Sequence, residues 1–215
     1  TDGHRLARVQ LPMPDGGAAT EAPDTDSTMK LLFAGSMYAG YTIEAFFAAF
    51  ERLLAERPDA RIELVAHTQS HQLLERLRAA FPAAAKRVHV GPRVSHDEVI
   101  DLYGSADLLI LATLDDLSIP GKLFEYIRSG TPILAFAVPG AESRALLADT
   151  CSGVAVPADD AATGAAALSQ LYDKWLLGQA LSQPDPVAIK MLERRVAYQR
   201  IFAALDRACE STTGG

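Results

Sequence analysis

Ser118-Ile-Pro-Gly-Lys-Leu-Phe-Glu-Tyr-Ile-Arg-Ser-Gly130 lies between two apolar runs, Ala106-Asp-Leu-Leu-Ile-Leu-Ala112 and Pro132-Ile-Leu-Ala-Phe-Ala137. Both runs read as buried strands of a parallel sheet. Pro120 and Gly121 mark a helix start, since proline suits a first turn that needs no amide partner. Gly130 stands where a left-handed residue ends a helix. Strand, short helix, strand is a crossover unit, and it opens the helix N-terminus at the carboxyl edge of the sheet.

That position has a chemical use. Unpaired amides at a helix N-terminus attract anions, phosphate above all. Gly121 allows close approach to the backbone. Lys122 places a positive charge in the first turn, where it opposes the helix dipole, so an anion nearby makes sense of it. Glu125 lies three residues on, on the same side of the helix. Its carboxylate can accept two hydroxyl hydrogen bonds, which suits a ribose diol. Phosphate, lysine and carboxylate together point to a nucleotide. An ordinary amphipathic helix with a Lys–Glu surface pair accounts for the same residues.

The remaining pattern alternates strands and helices. Strands are expected at Met29–Ala34, Arg61–Ala66, Val88–Val90, Ala106–Ala112, Ile133–Ala137 and Gly153–Val156. Helices are expected from Tyr41 or Thr42 to Arg57, after Ser70 to Ala80, after Ser95 to Tyr103, and over Glu142–Ala148, Ala161–Leu177 and Pro186–Cys209. Ser95 and Glu98 have capping-box spacing. The fold class is therefore α/β, a doubly wound, Rossmann-like parallel sheet of about six strands. Residues 1–28, rich in Pro, Gly, Asp and Thr with a possible strand at Arg5–Leu11, read as a linker or tail. Residues 29–182 form the nucleotide-binding unit, and 183–215 a C-terminal helix and tail.

Composition excludes several classes. The 215 residues are 49% hydrophobic and 22% charged, an ordinary globular profile with room for one good core. A formal net charge of −7 and a pI near 5.2 argue against nucleic acid as the main partner. No apolar run approaches a membrane span, and the start has no signal-peptide core. The absence of an initiator methionine reads as a fragment or processed product. Cys151 and Cys209 are too few and too isolated for a zinc or disulfide framework, and read as small, partly buried hydrophobes of a reducing cytosol. His67 and His71 are four apart, but the residues between them read as a loop entering a helix, and no metal is expected there.

Doubly wound sheets bind ligands at strand carboxyl ends, near a switch in strand order. The candidates converge there: Gly35 and Ser36 after the first strand, His67 and Thr68 after the second, Gly91 and Arg93 after the third. Ser118, Ile119, Pro120, Gly121, Lys122, Leu123 and Glu125 follow the fourth. No G-x-G-x-x-G follows the first strand, which counts against a dinucleotide domain.

The run Pro120–Ala135 resembles the donor-binding segment of retaining GT-B glycosyltransferases of the GT4, or group 1, family. Three further stretches fall in the family's order. Phe33-Ala-Gly-Ser-Met-Tyr38 is similar to the strand and glycine turn opening its C-terminal domain. Val88-His-Val-Gly-Pro-Arg-Val94 is similar to the strand before its nucleotide loop. Tyr103-Gly-Ser-Ala-Asp-Leu-Leu-Ile110 is similar to its Tyr-x-x-Ala-Asp element. The likeness covers about residues 29–180. One feature departs: of the family's two glutamates with seven residues between them, Glu125 matches the second, while Leu117 occupies the first, with Asp115 and Asp116 out of register.

The resemblance implies one half of a GT-B enzyme, the half that binds a nucleotide-diphosphate sugar. Lys122 and helix amides would neutralise the departing diphosphate, Glu125 would clamp the ribose, and Arg93 or the Gly91 backbone would sit by the base. In the family the first glutamate contacts the donor sugar, so nucleotide binding carries over better than sugar positioning. The acceptor site would belong to an N-terminal domain, the product would carry a transferred hexose, and no cofactor or metal is implied. A cytoplasmic location follows, peripheral at the inner membrane face through that other domain. The alternative is a Rossmann-like nucleotide-binding or regulatory module without transferase chemistry, which Leu117 favours.

Overall fold

The structure is a computed structural model. It describes residues 22–24, 26–35, 43–92, 94–112 and 119–192. The expected strand at Arg5–Leu11 and the expected terminal helix beyond Leu192 lie outside these residues.

Six parallel strands form one sheet in the order β3-β2-β1-β4-β5-β6. They are β1 Met29–Ala34, β2 Ile62–His67, β3 Val88–Val90, β4 Leu108–Ala112, β5 Ile133–Ala137 and β6 Gly153–Pro157. The helices are α1 Ile43–Glu56, α2 His71–Ala80, α3 Pro82–Ala85, α4 His96–Ser105, α5 Gly121–Ser129, α6 Glu142–Asp149, α7 Ala161–Leu176 and α8 Pro186–Met191. β1 pairs with β2 on one side and β4 on the other, Leu32 lying opposite Val65 and Leu109. The strand order therefore reverses between β1 and β4.

The central strands are buried on both faces, which is why they read as continuous apolar runs. Along β1, Met29, Leu31 and Phe33 face one core, and Leu32 and Ala34 the other. β4 and β5 alternate likewise: Leu108, Ile110, Leu134 and Phe136 on the first face, Leu109, Leu111, Ile133 and Ala135 on the second. The first core is covered by α1, α2, α3 and α7, and the second by α4, α5, α6 and α8.

On α1 the residues Ile43, Phe46, Phe47, Phe50, Leu53 and Leu54 recur at helical spacing and are all buried. Phe46 meets Phe136 edge to face, with centroids 5.8 Å apart. The end of α1 is tied to α7 by Arg57, which donates to Asp173 at 2.6 Å and lies over the Tyr172 ring. The Ser95–Glu98 capping box at the start of α4 is present in both directions.

Two expectations need correction. Cys151 is exposed, not partly buried as expected, and it takes a left-handed φ of 51° in the turn after α6. The fourth strand begins at Leu108, because Asp107 is occupied at its entrance. There the Asp107 carboxylate accepts from the Lys30 amide at 2.7 Å, and its own amide donates to the Lys30 carbonyl at 3.0 Å.

At Gly164 on α7, helix and sheet approach closely. A Cβ there would lie 2.6 Å from Phe136 and 3.0 Å from the Ala49 methyl, and neither neighbour is a free-ended chain. Gly164→Ala should therefore destabilise the domain by about 1–3 kcal/mol despite alanine's better helix propensity. Thermal or urea denaturation reads this directly; an unchanged or raised midpoint would show that the α1–α7 layer slides freely on the sheet.

Candidate functional site

The reversal between β1 and β4 leaves the carboxyl end of β1 open, and α5 reaches across it. α5 starts after Pro120, which serves as the N-cap residue, and ends at Gly130 with φ 75°. Leu123, Tyr126 and Ile127 bury one face of this helix in the second core. That packing sets the rotation of the helix, and so the direction of Lys122.

The Lys122 ammonium donates to the carbonyl of Ala34, the last residue of β1. The Tyr126 hydroxyl meets the same residue, accepting from its amide at 3.3 Å and donating to its carbonyl at 3.5 Å. Gly35 follows with φ 141°, a conformation side chains rarely adopt, and a Cβ there would stand 2.7 Å from the Lys122 nitrogen. The lysine therefore lies along a backbone that only glycine leaves open.

Around this point is a cavity of about 590 Å³, a volume ordinary for small-molecule sites. Its walls come from the ends of β1, β2 and β3 and from the start of α4: Ala34, Gly35, His67, Thr68, Gln69, His71, Gly91, Pro92, Val94, Ser95, His96 and Val99, with Lys122 reaching in from α5. Lys122 and three histidines line it, and no aspartate or glutamate does among the described residues. In a chain of net charge −7 this is a local basic site. Among the described residues no group of three or more His, Cys, Asp or Glu side chains could hold a metal ion, and no helix is long and apolar enough to cross a membrane.

His67 is fixed on one wall. Its Nδ1 is 2.8 Å from the Pro92 carbonyl oxygen, a contact that requires the proton on Nδ1. The ring lies flat against Gly91, where a Cβ would come within 2.2–2.5 Å of three ring atoms. Gly91 is therefore needed for the placement of His67 rather than for a turn. Thr68 is buried, and its hydroxyl oxygen accepts from the Ser70 amide at 3.1 Å.

The other expected residues are placed differently. Ile119, Pro120 and Gly121 stand at the entrance of α5, beside Lys122 but outside the cavity wall. Leu123 is fully buried in the core, and its amide donates to the Pro120 carbonyl at 2.9 Å, so neither its side chain nor its amide faces a ligand. Glu125 does not line the cavity; it lies on the α4 side of α5, where its Oε2 accepts from the Tyr103 hydroxyl at 3.1 Å. Ser36, Arg93 and Ser118 lie outside the described residues, as does Leu117. Sequence reading missed Gln69, His71 and His96 as wall residues and did not single out Tyr126. The signal for the first three was their position after β2 and β3, Gln69 in a loop and His71 and His96 as the first residues of α2 and α4.

Burial moves several of these groups. The Lys122 ammonium is held below the ordinary lysine range because the helix and sheet strip its water, an effect partly offset by the nearby Glu125 charge. Tyr103 and Tyr126 are pushed up, above all by burial, and stay protonated donors.

A doubly wound parallel sheet with a cavity at its carboxyl edge, beside the switch in strand order, defines a Rossmann-like α/β domain of the kind that takes its ligand at that edge. The comparisons narrow that class to a family. The model for glycosyl transferases group 1 matches residues 28–174, and the chain belongs to that family. No curated protein matches by sequence. Among solved structures, the C-terminal domain of the group 1 glycosyl transferase LpcC from Francisella tularensis aligns with a TM-score of 0.60 at 16% identity, over 77% of this chain and 85% of that one. A UDP-forming α,α-trehalose-phosphate synthase from Burkholderia vietnamiensis aligns at 0.58 and 15% identity, over 87% of this chain and 46% of that one. The UDP co-structure of S. aureus MnaA aligns at 0.52 and 13% identity, over 80% of this chain and 45% of that one. The chain thus spans about half the length of the latter two. At these identities the likeness is one of fold.

Lys122 provides a test of site against stability. Its folded-state pKa lies below the unfolded value of 10.5, so between the two the unfolded chain holds more protons and folding stability rises with pH. Below that window the buried ammonium is a constant cost. Lys122→Met should therefore raise the melting temperature at pH 7, and the gain should shrink as pH approaches 10.5. Melting curves of both proteins across that range check this; a destabilised variant at pH 7 would make the Ala34 contact outweigh the desolvation.

Proposed function

We propose that this domain binds the nucleotide-diphosphate sugar of a retaining glycosyltransferase and that, joined to an N-terminal domain, it transfers a hexose to an acceptor. The observation that carries this reading is Lys122, fixed at the carboxyl end of β1 and reaching into a basic cavity of about 590 Å³. A diphosphate lying there meets the ammonium directly. As the bond from the sugar to the diphosphate breaks, negative charge builds on the departing oxygens. A cation already held in a partly dry site stabilises that charge without reorganising. Protein charge serves as the electrophile in this reading, and no metal or other cofactor is invoked.

Glu125, one turn from Lys122, is proposed as the acceptor for the ribose hydroxyls. The wall formed by His67 on Gly91 and the Pro92 carbonyl is proposed to face the base, with Arg93 nearby. The acceptor domain supplies the second substrate, and a cytoplasmic setting, where nucleotide sugars are made available, completes the proposal. The second reading, a nucleotide-binding module without transfer chemistry, is favoured by Leu117 in place of the family's first glutamate.

Calorimetric titration with UDP, GDP, ADP and NAD separates the possibilities. The expected result is a preference for one nucleoside diphosphate over NAD, weakened at least tenfold by Lys122→Ala, because a charged hydrogen bond and an ion pair are both lost. Glu125→Ala should weaken it by a smaller factor. Unchanged binding in both variants would remove the site from this edge of the sheet. The chain alone should transfer no sugar; measurable transfer by the purified chain would overturn the need for the second domain.

A further inference from the structure

Glu125 has a built support. Tyr103, on α4, is fully buried and gives its hydroxyl proton to Glu125 Oε2 at 3.1 Å. The tyrosine is fixed at two other points. Its ring meets Tyr126 edge to face, with centroids 4.8 Å apart at 73°. Its carbonyl accepts from the buried Thr131 hydroxyl at 2.7 Å, just past the end of α5. Tyr126 in turn is tied to Ala34, the residue that receives Lys122. One chain of contacts therefore runs from the ammonium through the end of β1 and both tyrosines to the carboxylate.

We propose that Tyr103 is a positioning residue that holds Glu125 so that its free carboxylate oxygen meets the ribose diol of the donor. This rests on the nucleotide reading above. An ionised carboxylate accepts at about four positions. Tyr103 occupies one on Oε2, and among the described residues no hydrogen bond is made to Oε1. A half-buried glutamate on a helix otherwise samples several rotamers, and ordering it on binding weakens affinity. A phenol is well suited to this task, since the surroundings of Tyr103 keep its proton on oxygen and it can only donate to the carboxylate. Its side chain touches no ligand in this scheme; it acts through Glu125.

A purely structural tyrosine would affect all ligands alike, so selectivity is the test. Three ligands are titrated against the wild type, Tyr103→Phe, Glu125→Gln and the double variant. They are the nucleoside diphosphate that ranks first among UDP, GDP and ADP, its 2′,3′-dideoxy counterpart, and inorganic pyrophosphate. Tyr103→Phe keeps the ring and loses one hydrogen bond, so binding of the full nucleotide should fall about three- to tenfold. Binding of the dideoxy nucleotide and of pyrophosphate should not change, and the double variant should be no weaker than Glu125→Gln. Thr131→Val releases the tyrosine from its other anchor and should show the same selectivity at smaller amplitude, which keeps the test open if Tyr103→Phe does not fold. Equal weakening of all three ligands, or losses that add in the double variant, would overturn the positioning role. Failure of the wild type itself to bind any of the three nucleotides would instead overturn the nucleotide reading.

Discussion

The Ala34 carbonyl is the point on which the site depends. It ends β1, which lies between β2 and β4, where the order of the sheet reverses. At such a reversal the loops leaving two adjacent strands run to opposite faces, and a crevice opens between them. The backbone at the crevice floor must still find partners. Here α5 supplies them from across the gap, through the Lys122 ammonium and the Tyr126 hydroxyl. The first places a cation at the crevice, and the second fixes the helix that carries it. Gly35, with its φ of 141°, keeps the space clear.

Most of the fold was legible because its determinants are local. The runs of β1, β3 and β5 coincide with the observed strands. β5 is apolar throughout because both its faces are covered, β1 departs only at the exposed Lys30, and β3, at the sheet edge, buries only Val88. The Ser95–Glu98 box and Gly130 marked helix ends because each satisfies a backbone group within its own turn. The helix α3 was not legible. Its first amides are capped by Glu51, which accepts from Ala83 at 3.1 Å and Ala84 at 2.7 Å from more than thirty residues away. Pro82 favoured a helix start, but four residues with a long-range cap leave no periodicity to read.

The site was legible as a location and less so as a set of contacts. Position after a strand brought Gly35, His67, Thr68, Gly91 and Lys122 to one cavity. It could not tell that Gly91 is present to seat the His67 ring, because that pairing joins two loops. Nor could it separate the faces of α5 in full. Leu123 follows Lys122 directly, yet a step of 100° turns it into the core. The motif Tyr103-Gly-Ser-Ala-Asp107 splits in the same way. Its aspartate closes the opposite end of the sheet on Lys30, while its tyrosine reaches Glu125 on α5.

Helix α5 is thus core and site at once, and the two roles constrain each other. Leu123, Tyr126 and Ile127 fill one stripe, while Lys122 and Glu125 occupy its border. A shift of the helix by one residue along its axis, about 1.5 Å, would unseat the stripe and move both charges together. Tyr126 opposes such a shift because its hydroxyl can meet the Ala34 peptide in only one register. Burying an ammonium in this way costs stability, and the surrounding packing must carry that cost. Negative charge close to Lys122 relieves the penalty; Glu125 supplies part of it from the same helix, and among the described residues no carboxylate lines the cavity wall.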